Sequence, residues 1–456
     1  MAISSFYGLQ TSLRGLLAHQ RLLDVTGHNI ANASTEGYSR QEAVLSAAPA
    51  LVVPAGSIAS GAGAHLGSGV DVQTYRRVRD QFLDLQYRGQ ATSLADWSAR
   101  ASALGDAELA LAEPGENGIN EQLSKFWSAW SDLANAPADR AAKQALVERG
   151  QSLGDAVQTV RAQMALVAQQ AHDQYADLAR PATATDAGGK IAEIASELAG
   201  LNETISHFLT AGNQPNDLMD RRDQLLDQLA GFGQISVETL ATGSLKVSFV
   251  DSASPGTTYP IVDDMTAVWA GPPAGDAWSP GGLLGGLLGV SRPGGTIDGY
   301  LTALDTFATK LADLVNGAYG GSFLQVGSPP AAGVSVDPSL VANPSSIVAG
   351  TGGPGANDVA LAVSQLRGHQ DVDQAYKAFV AQVGAQVAEA DRQQANAQVL
   401  TDAVEDRRQS VAGVSMDEEM SNLVRFQRAY QASSRAMSTM DEMLDVLINR
   451  TGRVGL

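Results

Sequence analysis

The sequence predicts a mainly α protein with a β-rich insert, an α+β arrangement. Terminal helices pair as a coiled coil, and between them lie a central helical bundle domain and a small β domain. Three observations predict this. Apolar residues recur at spacings of three and four over long stretches at both ends. The period switches to two near residues 235–249. Aromatics are only 5% of 456 residues while Ala, Gln and Leu recur throughout, which suits long, lightly packed helices better than one large globular core.

Residues 3–30 read as an amphipathic helix, because Ile3, Phe6, Leu9, Leu13, Leu16, Leu23 and Ile30 form one stripe of near-heptad period. Ser4 or Ser5 can cap its start. After Asn29-Ile30-Ala31-Asn32, Gly37 can take the positive φ of a turn. Residues 40–75 are rich in Gly, Ala and Ser, with short β-like pieces such as Val70-Asp71-Val72. A helix runs from Asp80 to about Ala112 and is broken by Pro114-Gly115. Further helices carry Leu123, Phe126, Trp127, Trp130 and Leu133, then 138–179, 187–208 and 216–229. The Trp/Phe cluster reads as bundle core.

Alternation of Ile235, Val237 and Thr239, then of Leu245, Val247 and Phe249, about Ala241-Thr242-Gly243-Ser244 predicts a hairpin. Residues 259–262 and 267–269 can add strands. Gly and Pro dominate 271–295. Ile297, Leu301, Leu304, Leu311 and Val315 restore a helix, a second Gly/Pro-rich, β-like stretch covers 319–356, and 359–411 is again long and helical.

Ser415-Met416-Asp417-Glu418 matches the capping box, with Glu418 reaching back to the cap. Behind it Met416, Met420, Leu423, Tyr430, Met437, Leu444 and Ile448 continue a three–four stripe, on which Gln427, Ser434 and Asp441 also fall. A helix over 416–448 is about 50 Å long. Gly452 and Gly455 mark its end.

The organisation that follows is an N-terminal coiled-coil helix (1–35), a helical bundle domain (36–234), a β-rich insert (235–295) and a helix returning to the bundle (296–320). A Gly/Pro-rich β-like segment (321–358), the last part of the bundle (359–413) and a C-terminal coiled-coil helix (414–456) complete it. Neither terminal stripe has a local partner. A lone amphipathic helix leaves its apolar face in water, and helices owe most of their stability to packing. The two ends must therefore pair with each other, with neighbouring copies, or both, and they are expected to order only on finding that surface.

Several function classes are disfavoured. A formal net charge of −19 argues against a nucleic-acid partner, which needs a basic face. With no cysteine there is no disulfide or thiolate metal site. The N-terminus does not read as a cleaved secretory signal, and the apolar run 281–290 is too short and glycine-rich to insert in a membrane. Gly150-Gln151-Ser152-Leu153-Gly154 matches a nucleophile elbow, but its flanks read as helix rather than strand. The glycines of 350–355 match a dinucleotide spacing with Pro354 where an N–H should face phosphate. The six histidines show no ligand spacing. No catalytic, metal or cofactor constellation is expected.

Residues 26–40, with the core Asn29-Ile30-Ala31-Asn32 followed by Gly37-Tyr38, resemble the N-terminal signature of flagellar rod, hook and hook-associated proteins. Residues 418–449, especially Asn422-Leu423-Val424-Arg425-Phe426-Gln427-Arg428-Ala429-Tyr430-Gln431-Ala432, resemble the matching C-terminal signature. Residues 215–227 look like a segment typical of the hook-associated protein 1 family. The resemblance covers about two thirds of the chain, and nothing is carried onto the β-rich insert. It implies a non-enzymatic structural subunit of the bacterial flagellum at the hook–filament junction, outside the cell, exported unfolded by the flagellar type III apparatus.

The implied partners are a self-polymer, the hook protein, the second junction protein and filament cap, and a cytoplasmic chaperone on the C-terminal helix. The expected assembly interface is Ile3, Phe6, Leu9, Leu13, Leu16, Leu23, Ile30, Met420, Leu423, Gln427, Tyr430, Met437, Leu444 and Ile448. Family-signature residues are Asn29, Asn32, Gly37, Tyr38 and Gln431. The chaperone would grip Leu423, Tyr430, Met437 and Leu444. Rival readings are another axial subunit (hook, rod or second junction protein) and a cell-wall hydrolase, which needs an acidic pair in a cleft.

Overall fold

The structure is a computed structural model and describes residues 6–53, 64–254, 256–353 and 355–450. Ile3, Ser4, Ser5, Pro354, Gly452 and Gly455 lie outside the described residues. Helix α1 (Tyr7–Ala31) leads into two antiparallel ribbons, β1 (Gln41–Ala47) with β4 (Val70–Arg77) and β2 (Leu51–Val53) with β3 (Ala64–Leu66). Five helices follow: α2 (Gln81–Leu111), α3 (Ile119–Asn135), α4 (Arg140–Ala179), α5 (Lys190–Thr210) and α6 (Asn216–Phe232). Each lies within a few residues of its expected span. Their boundaries are set by local chemistry, as when Asp80 and Asp139 cap α2 and α4 by accepting from Phe82 and Ala141 N–H groups.

Strands β5 (Ile235–Thr239), β6 (Leu245–Val250), β7 (Thr258–Asp263) and β8 (Thr266–Ala267) form one antiparallel sheet in sequence order. Its inner side chains, Leu245, Val247, Phe249, Ile261 and Val262, belong to the same hydrophobic core as the helices. Trp269 Nε1 donates to Ala179 O at 3.0 Å and Trp278 Nε1 to Tyr175 Oη at 2.9 Å, clamping the sheet to the end of α4.

The stretch after the sheet departs from expectation. Within 271–295, read as Gly/Pro-dominated, lies α7 (Gly282–Ser291), in which Leu284, Leu287, Leu288 and Val290 are buried. A Cβ on Gly286 would stand 2.5 Å from Asp96 O, so the glycine lets two helix backbones meet. Burial on several sides outweighs glycine's cost of about 1 kcal/mol per helical site.

Helix α8 (Thr296–Tyr319) returns to the bundle as expected. Among its described residues, the stretch after it holds only two-residue strands, β9 (Leu324–Gln325) and β10 (Ser335–Val336), with short helices α9 (Pro338–Ala342) and α10 (Asp358–Ser364). The long helix expected over 359–411 is broken at 365–369, where Gly368 has φ +80°, and resumes as α11 (Ala375–Ala412) antiparallel to α2. Helix α12 (Met416–Asp445) ends in a π-type turn, Val446–Arg450.

The aromatic cluster is core, as expected: Trp130 and Phe323 centroids are 4.8 Å apart, and Trp127 Nε1 donates to Asp373 Oδ1 at 3.2 Å. Ser152 sits inside α4 and donates to Glu148 O at 2.9 Å. Gly154 beside it makes room for a crossing chain, since its Cβ would stand 2.4 Å from Val334 O. A helix interior cannot form a nucleophile elbow. Among the described residues no group of acidic and histidine side chains could hold a metal, and no helix is long and apolar enough to cross a membrane.

Candidate assembly site

The terminal helices supply each other's missing partner. A Cβ on Gly8 would stand 3.1 Å from Met440 Sδ and Cε, and one on Gly15 would stand 3.4 Å from Ser433 Oγ. Both pairs are seven residues apart on each helix, so α1 and α12 run antiparallel in a defined register. One heptad further, Leu22 and Phe426 share a groove of about 910 Å³ with Asn29 and Glu419. The α12 seam is thus Glu419, Leu423, Phe426, Tyr430, Ser433, Met437, Met440 and Leu444, each buried or half-buried.

The seam takes in part of the expected stripe and leaves part of it facing solvent. Leu423, Tyr430, Met437 and Leu444 do fall in it, but Met420, Gln427 and Ile448 are exposed on the flank. Both rows keep a three–four spacing with 423, 430, 437 and 444. The glycines that select the inner row act only through the partner helix. On α1, Leu9, Leu16, Leu23 and Ile30 are half-buried, whereas Phe6 and Leu13 are exposed. Gly8, Gly15, Phe426, Ser433 and Met440 were not legible as interface residues.

The pair does not exhaust its apolar surface. Only Ala18, Thr26 and Asn29 of α1 and Glu419 and Leu444 of α12 are buried. Leu13 and Leu17 are 43% and 49% exposed, and Met416, Met420 and Val424 are 46%, 50% and 42% exposed along one side of α12.

The N-terminal signature builds the joint beneath the pair. Asn29, 2% exposed, donates from Nδ2 to Gln41 O at 3.0 Å and accepts at Oδ1 from Gln41 N at 2.9 Å, mimicking a strand neighbour. The Tyr38 hydroxyl donates to the same Oδ1 at 2.8 Å. Asn32 Nδ2 donates to His28 O at 3.0 Å, closing the end of α1. Gly37 has φ +77°, and a Cβ there would stand 2.8 Å from Gln224 Nε2, so side chain and backbone both demand glycine. Burial, then Asp217 and Asp220, push the Tyr38 phenol well above its ordinary value, which keeps it a donor. Gln431, by contrast, is exposed on α12 and makes no part of this joint.

Arg40 ties both ends of the chain together. Its N–H donates to Ala412 O at 2.9 Å, its Nε to buried Glu419 at 2.8 Å and its Nη1 to Glu418 at 3.0 Å. Ser415 caps α12 by accepting from Glu418 N–H, but the Glu418 carboxylate turns to Arg40, so the expected capping box is half formed.

Below lies an ion-pair network that the sequence did not reveal. Arg77 Nη1 donates to Asp220 at 2.9 Å and Asp223 at 2.6 Å, Arg79 pairs with Asp84 at 2.8 Å and Asp223 at 3.1 Å, and Arg88 with Asp227 at 2.7 Å. Arg408 of α11 joins Asp227 and stacks 4.0 Å over Tyr87. Asp220 Oδ2 also accepts from Ser39 N at 3.0 Å, linking the network to the signature. Burial alone would raise the Asp223 carboxyl, but Arg79 and Arg77 outweigh it and hold it below the ordinary value. Burial raises Asp220, against the Ser39 N–H and Arg77. Burial also lowers Arg222 to about 10; its Nη1 donates to Gly243 O at 2.9 Å. Three of these carboxylates come from 215–227, whose repeated Asp and Arg thus serve a junction between elements far apart in sequence.

The geometry offers a scaffold whose two ends pair and keep apolar surface exposed. Residues 104–323 match the model of the flagellar hook-associated protein FlgK helical domain, 406–450 that of the flagellar basal body rod FlgEFG protein C-terminal region, and 9–38 that of the flagella basal body rod protein. Flagellar hook-associated protein 1 of Bacillus subtilis is 28% identical over 512 aligned positions, covering 98% of this chain and 99% of its own. That of Escherichia coli is 23% identical, covering 97% and 99%. That of Salmonella typhimurium is 26% identical, covering 70% and 59%. The solved flagellar hook junction protein FlgK from Burkholderia pseudomallei is 21% identical over 53% of this chain and 47% of its own, at a TM-score of 0.44. The rod-type segments match the two paired helices and the helical-domain segment matches the bundle between them: the chain belongs to the flagellar hook-associated protein 1 family.

Proposed function

We infer that the protein is a structural, non-enzymatic subunit of the bacterial flagellum, placed outside the cell at the hook–filament junction, and that its terminal helix pair is the element that polymerises. The observation that carries this is the α1–α12 pair itself: anchored by Arg40 at one end, yet leaving Leu13, Leu17, Met416, Met420 and Val424 substantially exposed. A surface of that kind is what contact with neighbouring copies, the hook protein and the filament-side junction protein and cap would cover.

The chaperone reading is supported by the same geometry. Leu423, Tyr430, Met437 and Leu444 line the seam toward α1, so a chaperone gripping them before export would compete directly with α1. Helix pairing and chaperone binding would then exclude each other, keeping the subunit from polymerising early. Leu423→Asp together with Leu444→Asp tests the assignment. It should abolish incorporation into flagella and motility while circular dichroism shows the bundle intact. Normal motility of that variant would refute the role.

A further inference from the structure

We propose that Met440 is an oxidation site: a small peroxide converts its thioether to a sulfoxide and thereby opens the α1–α12 pair. The proposal rests on the reading of that pair as the assembly element. With no cysteine in the chain, methionine holds all its sulfur, and five of nine methionines lie on α12: Met416, Met420, Met437, Met440 and Met443. Their settings differ. Met443 is 55% exposed, whereas Met164 in the bundle core is fully buried. Met440 is half-buried in the seam, so its side chain is both reachable from water and packed against α1. Its Sδ sits 3.1 Å from where a Cβ of Gly8 would be, so it occupies the space that the missing side chain leaves. One heptad along, Gly15 faces only the small side chain of Ser433.

In the step, a sulfur lone pair attacks one oxygen of hydrogen peroxide and the O–O bond breaks. An S–O bond forms, and the departing hydroxide takes the proton of the transferred hydroxyl to leave as water. Sulfur loses two electrons and the peroxide gains them. The product carries a polar oxygen on a pyramidal sulfur at a contact built for an apolar, flexible chain. The added oxygen is hydrated in water and loses that hydration in the seam, so oxidation draws the side chain out toward solvent.

The test uses the full chain carrying Met437→Leu, which leaves Met440 as the seam methionine of α12, together with Gly15→Cys and Ser433→Cys, whose disulfide reports pairing. The thiols are held as mixed disulfides during treatment with hydrogen peroxide and released afterwards. Peptide mapping should find one added oxygen on Met440, and trapping should slow about tenfold relative to the untreated protein, as for an imperfectly solvated polar group in a packed contact. A methionine sulfoxide reductase should restore it. With Met440→Leu added, the treated rate should match that variant's own untreated rate, although Met443 is oxidised.

The proposal is overturned if Met440 stays a thioether while Met443 converts, or if its sulfoxide leaves trapping unchanged. It is equally overturned if the Met440→Leu protein slows as much, or if the untreated pair never traps. Trapping is read within one chain and incorporation into flagella separately. Normal incorporation of the Leu423/Leu444 double aspartate variant would therefore sink the assembly role without touching the chemistry at Met440.

Discussion

Asn29 shows what the signature residues do one at a time. A single buried amide replaces a strand neighbour for Gln41 and receives the Tyr38 hydroxyl, so removing it strands several polar groups at once. Asn29→Ala should destabilise the joint by about 1–3 kcal/mol, seen as faster hydrogen exchange at 39–41 with the bundle core unaffected. Asp223 makes the electrostatic case. It faces Arg77 and Arg79 with little solvent, and Asp223→Asn should cost about 3–5 kcal/mol, measured as a lowered unfolding midpoint. The sign of its pH dependence follows from its depressed carboxyl. Its contribution is complete above the ordinary value of 3.8 and is lost as pH falls through the lower, folded value. Asp220, shifted upward, titrates the other way. The Asp223→Asn protein should therefore lose part of the acid-unfolding limb below about pH 4, and an unchanged limb would contradict the assignment.

Among elements, the terminal helices and α7 are the instructive pair. The stripes on α1 and α12 were legible because a three–four spacing survives in any helix. The facing row of α12 was not, because positions 419, 426, 433 and 440 and positions 420, 427, 434 and 441 satisfy that spacing equally. The choice is made by Gly8 and Gly15 on the other helix. The register is directly testable in a chain without cysteine. A Cβ at Gly15 would stand 4.0 Å from the Ser433 Cβ, within the 3.5–4.5 Å span of disulfides, so Gly15→Cys with Ser433→Cys should crosslink under mild oxidation. Gly15→Cys with Gln427→Cys, on the exposed flank, should not. Helix α7 is hidden in the sequence for a related reason: five of its ten residues are leucine or valine and four are glycine, a composition that reads as loop until α2 presses against it.

For the whole molecule, burial is divided unevenly. The bundle and sheet share one continuous core, while the terminal pair buries only five side chains over two long helices. Free subunits should therefore lose 7–35 and 416–445 to limited proteolysis well before 81–412, and the difference should vanish in assembled flagella. Equal resistance in the free subunit would show that the pair needs no neighbour. What the sequence determined by itself is whatever depends on local periodicity and turn chemistry: the long helices, the hairpin, the cap at Ser415, the turn at Gly37 and the two sticky ends. What only the tertiary structure decided is which faces meet. The inner row of α12, the burial of α7 and the Arg77–Arg79–Asp223 network all join residues tens to hundreds of positions apart. The first two draw their energy from excluding water between apolar surfaces, and the network from attraction between charges that offsets their desolvation, and no single segment contains both sides of any of them.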